Sequence, residues 1–105
     1  MNKNSLIASL VKVIVEKYSP EKVILFGSHA WGVPHRDSDI DFFIVKKTNK
    51  SLSSRFSEVQ KLLYRLHESI PVEPLVLTPK EVEKRVKKGD PFILKILKNG
   101  RKLYG

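Results

Sequence analysis

Residues 23–45 read VILFGSHAWGVPHRDSDIDFFIV. The stretch opens with four apolar residues in a row, a pattern typical of a buried β-strand, and these end at Gly27 and Ser28. It closes with the segment 39–45, in which two aspartates alternate with apolar residues. Because successive side chains of a strand point to opposite faces, Asp39 and Asp41 share one face of this second strand. The stretch therefore predicts two strands joined by a polar loop.

The segments around this stretch predict helices. Apolar residues recur at helical spacing over 6–15, which predicts an amphipathic first helix. A second helix is predicted from a stripe formed by Phe56, Val59, Leu62, Leu63 and Leu66. The sequence TPKE at 78–81 combines an N-cap, a first-turn proline and a capping-box glutamate, so a third helix begins there. The sequence DP at 90–91 opens a fourth helix, which Gly100 ends.

Residues 72–77 predict a third strand, and the prolines at 71 and 74, which limit its hydrogen bonding, indicate an edge strand or one with limited pairing. Residues 101–104 are a candidate for a short fourth strand. The fold class is therefore α/β (α+β), as one domain over residues 1–105. We expect a small mixed β-sheet of three to four strands with helices packed on one face. The paired aspartates would lie on the opposite, open face.

Composition narrows the class of protein. The chain has 105 residues, of which 41% are hydrophobic and 30% charged, values typical of a folded globular domain. It has no cysteine, which excludes disulfide scaffolds, zinc ribbons and thiol chemistry. The net charge is +9, and most of the basic excess lies between Lys80 and Lys102. This surface favours a polyanion or an acidic partner, with a solvated basic face as the alternative.

Nothing in the sequence predicts a membrane location. The apolar part of the first helix is interrupted by Lys12, is far shorter than the roughly 20 residues of a membrane span, and is not followed by a small-residue cleavage site. We expect a cytoplasmic protein with no membrane partner.

Asp39 and Asp41 are the first candidate functional residues. At positions i and i+2 of a strand their Cα atoms lie about 6.6 Å apart. Paired carboxylates among apolar residues repel each other, so each needs a nearby cation to stay ionised. Carboxylate oxygens suit Mg²⁺, which takes its other ligands from water and substrate phosphates. The alternative is that the two aspartates only mark the beginning of an exposed strand.

Gly27 and Ser28 are candidates for binding phosphate. A glycine at the end of a strand allows a sharp turn that brings backbone N–H groups close to an anion, and the serine hydroxyl adds a donor. A Gly-Ser pair is common in turns, so it indicates a phosphate site only in combination with the aspartate pair that follows after ten residues. Arg36, in the intervening loop, could contact a phosphate or be an ordinary solvated residue. Trp31 could stack on a base or simply pack.

These two motifs, GSHAWG at 27–32 and DSDIDF at 37–42, resemble those of the minimal nucleotidyltransferases of the DNA polymerase β superfamily. The resemblance extends over essentially the whole chain, and its specific part is residues 27–41. It implies a polymerase β palm-like nucleotidyltransferase fold. It also includes Ser38, the residue before the aspartate pair, which we add to the candidates for phosphate binding.

The resemblance further implies a third carboxylate on a neighbouring strand, and Glu73 is the candidate. Asp39, Asp41 and Glu73 would then be the catalytic and metal-binding residues, with two Mg²⁺ ions per site and ATP as the substrate. The family usually has aspartate at the third position, so glutamate is a departure. The alternative is that Glu73 is an ordinary surface residue of its strand.

The function implied by the resemblance is transfer of a nucleoside monophosphate, with AMP from ATP expected, to a hydroxyl group. Proteins of this kind are typically paired with a HEPN-domain RNase toxin and act as its antitoxin by transferring AMP to a toxin tyrosine. One alternative is a binding module that neutralises a HEPN partner by contact, with weak or no catalysis. Another is nucleotidyl transfer to RNA, which the basic C-terminal segment favours modestly, or to a small molecule.

Overall fold

The structure, a computed structural model, describes residues 2–33, 38–66 and 70–105. These residues form four α-helices, four β-strands and a single turn of 3₁₀ helix. In chain order the elements are α1 (Lys3–Tyr18), β1 (Lys22–Phe26), the 3₁₀ turn (Gly27–His29), β2 (Ile40–Val45), α2 (Leu52–Leu63), β3 (Val72–Leu77), α3 (Pro79–Lys87), α4 (Pro91–Asn99) and β4 (Arg101–Tyr104). None of the helices in these ranges has both the length and the hydropathy needed to cross a membrane.

The four strands form one mixed sheet in the order β3-β2-β1-β4. β1 is antiparallel to both β2 and β4, whereas β2 and β3 are parallel. The predicted mixed α/β fold is confirmed, with four strands, and the proline-containing β3 lies at an edge as expected. Because β1 runs opposite to β2 and β3, the end of β1 lies beside the beginnings of the other two strands. This end of the sheet carries the residues that the sequence singled out.

Apolar side chains fill both faces of the sheet. On one face, α1 and α2 pack against β1 and β2 around a buried core that includes Leu10, Ile14, Phe42, Ile44 and Val59. On the other face, Ile93 and Ile96 of α4 pack with Ile24 and Phe43 in a second core.

The expectation that helices pack on one face and leave the other open is therefore wrong for the middle of the sheet. The physical reason is that β2 carries large apolar side chains on both faces, and the amphipathic α4 buries the second set. The carboxylate end of that face remains accessible, since Asp39 and Glu73 are exposed.

Helix α2 differs from its predicted pattern at its beginning. Phe56, expected in the apolar stripe, is 38% exposed, whereas the neighbouring Arg55 is buried at 6%. The Arg55 guanidinium donates to the Lys50 carbonyl (2.8 Å), to the Val76 carbonyl (3.1 Å) and to the Glu81 carboxylate (2.8 Å). One side chain thus ties together the loop before α2, the edge strand β3 and the first turn of α3.

The signals that begin α3 and α4 are confirmed, as is the end of α4 at Gly100. Thr78 and Glu81 form the predicted capping box, in which each side chain accepts a hydrogen bond from the backbone N–H of the other residue. Asp90 caps α4 by accepting from two backbone N–H groups of its first turn. A Cβ atom at Gly100 would lie 2.6 Å from Ile24 Cγ2, so this glycine lets the end of α4 approach β1 closely.

Replacing Arg55 by methionine tests how much its contacts stabilise the fold. We expect Arg55→Met to lower the free energy of unfolding by about 2–3 kcal/mol, because the Val76 carbonyl and the Glu81 carboxylate lose a charged donor. Urea unfolding followed by circular dichroism measures the change. Lys87→Met is the control, because it breaks the exposed pair with Glu83 and should cost no more than about 0.5 kcal/mol. Equal effects of the two substitutions would contradict a stabilising role for Arg55.

Candidate active site

The site begins at the 3₁₀ turn that ends β1. Gly27 has φ +75°, in the left-handed region that glycine adopts without strain, and its carbonyl accepts hydrogen bonds from the N–H groups of Ala30 (2.9 Å) and Trp31 (3.0 Å). A Cβ atom on Gly27 would overlap the Asp41 carboxylate oxygen Oδ2. A glycine is therefore required here for two reasons, and the turn lies directly against the carboxylate.

The strand register brings the candidate carboxylates to the same place. Asp41 pairs with Phe26 of β1 on one side and with Glu73 of β3 on the other. Residues opposite each other on neighbouring strands share a face, so Asp41 and Glu73 lie on the face that α4 covers further along. Asp39 immediately precedes β2 and is exposed, Asp41 is half-buried, and Glu73 is exposed.

The pKa of Asp41 is shifted by its burial and by the charges around it. Burial is the largest cause that raises the pKa of Asp41, from 3.8 to about 6, and repulsion by Asp39 and Glu73 raises it further, while the charge of His29 acts in the opposite direction. An anionic Asp41 is therefore costly unless a cation accompanies it. Structural ion pairs lower the pKa of a carboxylate, so the opposite shift here is typical of a functional site.

The sequence places His29 next to the Gly27–Ser28 pair at the border of the site, but it does not show what His29 contacts. It is the last residue of the 3₁₀ turn, and its Nε2 atom lies 3.1 Å from the Ser38 carbonyl oxygen, to which it donates a hydrogen bond. This contact connects the turn to the residue before the aspartate pair. Its position two residues after Gly27 was the available signal, and that position alone does not distinguish a site residue from a loop residue.

The predicted phosphate-binding residues are placed as follows. Gly27 and Ser28 are partly exposed in the turn, and Ser38 is buried just before β2. Arg36 lies outside the described residues. The binding of phosphate by these four residues stays a prediction. Trp31 is half-buried and packs beside Phe26, with 6.2 Å between ring centroids, which is the packing arrangement that the sequence left open.

The carboxylate oxygens at this site fit a divalent metal ion that takes its remaining ligands from the substrate. In the parts of the chain described, no three His, Asp or Glu side chains are arranged to hold a metal ion on their own. Asp39 and Asp41 nevertheless provide carboxylate oxygens, the ligand type that Mg²⁺ prefers, and a cation would relieve the charge repulsion at Asp41. An ion at this pair would complete its coordination with water and substrate oxygens. The role of Glu73 as a ligand stays a prediction.

Comparison with known proteins agrees with this geometry. Residues 7–104 match the family described as nucleotidyltransferase domain. A crystal structure of the toxin–antitoxin pair MntA–HpeT, in a mutant with two Asp-to-Glu substitutions, is similar with a TM-score of 0.63 and 20% identity, covering 100% of this chain and 74% of that one. A putative nucleotidyltransferase from Sulfolobus solfataricus is similar with a TM-score of 0.55 and 25% identity, covering 76% and 70%. No curated protein sequence matches the chain significantly.

The glycine turn at the end of β1 lies against Asp41, near the beginning of β2. The chain belongs to the nucleotidyltransferase domain family, because the match extends over nearly its whole length. The resemblance drawn from the two sequence motifs is thereby confirmed at the level of the family. Domains of this family generally use a nucleoside triphosphate and divalent metal ions.

We predict that Asp41→Asn stabilises the metal-free protein at high pH. The pKa of Asp41 rises from 3.8 to about 6 on folding, so the free energy of unfolding falls as pH rises between these two values. An asparagine at this position does not titrate and causes no such loss. With EDTA present, the free energy of unfolding of the variant should exceed that of the wild type by on the order of 1 kcal/mol at pH 8, and by almost nothing at pH 4. The value at pH 8 is discounted for the solvent that reaches Asp41. Thermal unfolding at both pH values, with the exposed Glu83→Gln as control, measures this. A variant less stable than the wild type at pH 8 would contradict the prediction.

Proposed function

We propose that this protein transfers a nucleoside monophosphate, AMP from ATP, to a tyrosine hydroxyl of a partner HEPN-domain RNase toxin and thereby acts as its antitoxin. The observation that carries the proposal is the position of Asp41, half-buried, repelled by Asp39 and Glu73, and in contact with the Gly27 turn. An ionised aspartate pair favours cations, and a turn with exposed backbone N–H groups beside it would receive the anion that brings them. A metal-bound triphosphate satisfies both requirements.

The geometry supports an in-line transfer. Gly27 and Ser28 would hold the β- and γ-phosphates through backbone and hydroxyl donors. Asp39 and Asp41 would hold two Mg²⁺ ions, which when bound polarise the phosphoryl oxygens and neutralise the leaving pyrophosphate. The acceptor oxygen then forms a bond to the α-phosphorus as the bond from that atom to the bridging oxygen breaks. Glu73, exposed beside Asp41, would receive the acceptor proton.

The partner part of the proposal has two supports. The MntA–HpeT structure, which shares the fold, is that of a toxin–antitoxin pair. In addition, α4 presents large apolar side chains to solvent next to the site, with Phe92 48%, Leu94 41% and Leu97 40% exposed. Leu94 and Leu97, three residues apart, are neighbours on the surface of α4, and apolar groups exposed side by side are typical of a surface that another protein covers. The basic charge of the segment favours an acidic partner surface.

The same exposed face of α4 supports a second candidate, an antitoxin that neutralises its HEPN partner by contact with little or no catalysis. Two further observations favour this candidate. Glu73 departs from the usual aspartate, and the residues that the structure describes contain no group of three metal ligands. RNA or a small molecule as the acceptor would keep the chemistry and change the product.

Transfer of label from ATP carrying a radioactive α-phosphate tests the proposal. The protein is incubated with Mg²⁺ and a lysate of the source cells, and the labelled product is resolved by electrophoresis and treated with nuclease or protease. We expect label on a small protein, at a tyrosine. An Asp39→Asn/Asp41→Asn variant should lower the rate at least about 10³-fold, because both metal-binding side chains lose their charge.

The matched control is Glu16→Ala, which removes an exposed carboxylate from α1, on the other face of the sheet, and should leave the rate unchanged. Glu73→Gln should lower the rate about 10²-fold if this residue removes the acceptor proton, and hardly at all if it is an ordinary surface residue. Label that nuclease removes would show that the acceptor is RNA and not a protein. No label above that of the double variant, with a toxin still neutralised, would overturn the catalytic proposal in favour of the contact antitoxin.

A further inference from the structure

A cluster of aromatic rings and one lysine borders the carboxylates on the side of β1 and α4. The Phe26 and Phe92 rings meet edge to face at 5.7 Å, and Trp31 lies 6.2 Å from Phe26. Lys95, on α4, places its ammonium 4.6 Å from the centroid of the Trp31 ring. Since Phe26 is the strand neighbour of Asp41, this cluster forms one wall of the candidate active site.

Packing brings Lys95 over Trp31 but gives its charge no anionic partner among the residues described. The residue is exposed, and in the described part of the chain its ammonium forms no ion pair. Its contact with Trp31 is of a kind that is weak at exposed sites. Charge-assisted hydrogen bonds to phosphate oxygens are stronger, and the four-carbon stem of a lysine moves easily.

Trp31 is directly connected to the turn that we assign to phosphate binding. Its backbone N–H donates to the Gly27 carbonyl (3.0 Å), and a Cβ atom on the next residue, Gly32, would lie only 3.0 Å from Ser28 Cα. The backbone between residues 27 and 32 is therefore folded tightly on itself. Lys95 thus contacts the side chain of the residue whose backbone closes the Gly27 turn.

We propose that Lys95 is a triphosphate-binding residue, whose ammonium leaves the Trp31 ring to bind the β- and γ-phosphates of the nucleotide. The inference rests on the proposed function, because it requires a triphosphate at the Gly27 turn. In this position Lys95 neutralises charge on the pyrophosphate that leaves. It therefore contributes to the binding of a nucleoside triphosphate and contributes nothing to that of a nucleoside monophosphate.

The single tryptophan of the chain makes this inference measurable. The full chain, as wild type and as Lys95→Met, is titrated with Mg²⁺ and α,β-methylene ATP, which cannot transfer its α-phosphate, and separately with AMP. Calorimetry gives the affinities, and Trp31 fluorescence follows the environment of the ring. Lys98→Met is the matched control, because it removes another exposed lysine of the same helix.

We expect Lys95→Met to weaken binding of the triphosphate analogue at least about tenfold and to leave AMP binding unchanged. Lys98→Met should stay within about twofold of the wild type, and Lys95→Arg should retain most of the affinity. In the wild type the Trp31 emission should change when the analogue binds, and this change should be absent or much smaller in Lys95→Met, where no ammonium leaves the ring.

Two results would overturn the inference while the proposed function stands. One is equal affinity of Lys95→Met and wild type for the analogue, and the other is equal weakening by the Lys95 and Lys98 substitutions, which would indicate a general effect of basic charge. If the wild type does not bind the analogue at all, the proposed catalytic function fails, and the role of Lys95 fails with it.

Discussion

The charge of Asp41 is the constraint on which the rest of the site depends. Its carboxylate is half-buried, lies against the Gly27 turn, and is repelled by the carboxylates of Asp39 and Glu73, so that its pKa rises to about 6. A domain selected for stability alone would place an amide or an apolar residue there. The arrangement is understandable if cations and an anionic substrate enter together, because each then compensates the charge of the other. The repulsion between the carboxylates in the empty site is relieved when cations bind, and this relief favours their binding.

The sheet topology creates this constraint. The antiparallel β1 ends where the parallel pair β2 and β3 begins, so a turn from one strand meets carboxylates from the other two. Large apolar residues on both faces of β2 anchor the strand between two cores, which keeps Asp41 at a fixed position. α4 closes the second core and brings Lys95 to the wall of the site. At the far edge, the Arg55 side chain holds β3 to α2 and α3, and so fixes the strand that carries Glu73.

Most of the fold could be predicted because its signals are local. The capping box at 78–81, the alternation from Asp39 to Val45 and the prolines of β3 each act within a few residues. What could not be predicted depends on partners distant in the chain. The apolar stripe of α4 predicts a buried face but not which side of the sheet it covers. Arg55 is buried because Glu81 and the Val76 carbonyl meet it, and Lys95 lies over Trp31 because α4 crosses β1. In the site, Gly27, Asp39 and Asp41 were singled out by the pattern and Glu73 by the family resemblance, whereas the contacts of His29 required the folded turn.

The binding of Mn²⁺, as a spectroscopic substitute for Mg²⁺, tests most directly whether Asp39 and Asp41 share a cation with a nucleotide. Mn²⁺ is titrated into the metal-free protein, with and without α,β-methylene ATP. Electron paramagnetic resonance then measures how many ions are bound and how tightly. We expect weak binding of Mn²⁺ alone, because the two aspartates need substrate oxygens to complete the coordination, and much tighter binding with the analogue. Asp39→Asn/Asp41→Asn should abolish the tight binding. Mn²⁺ affinity that does not respond to the analogue, or that persists in the double variant, would contradict the assignment of this site.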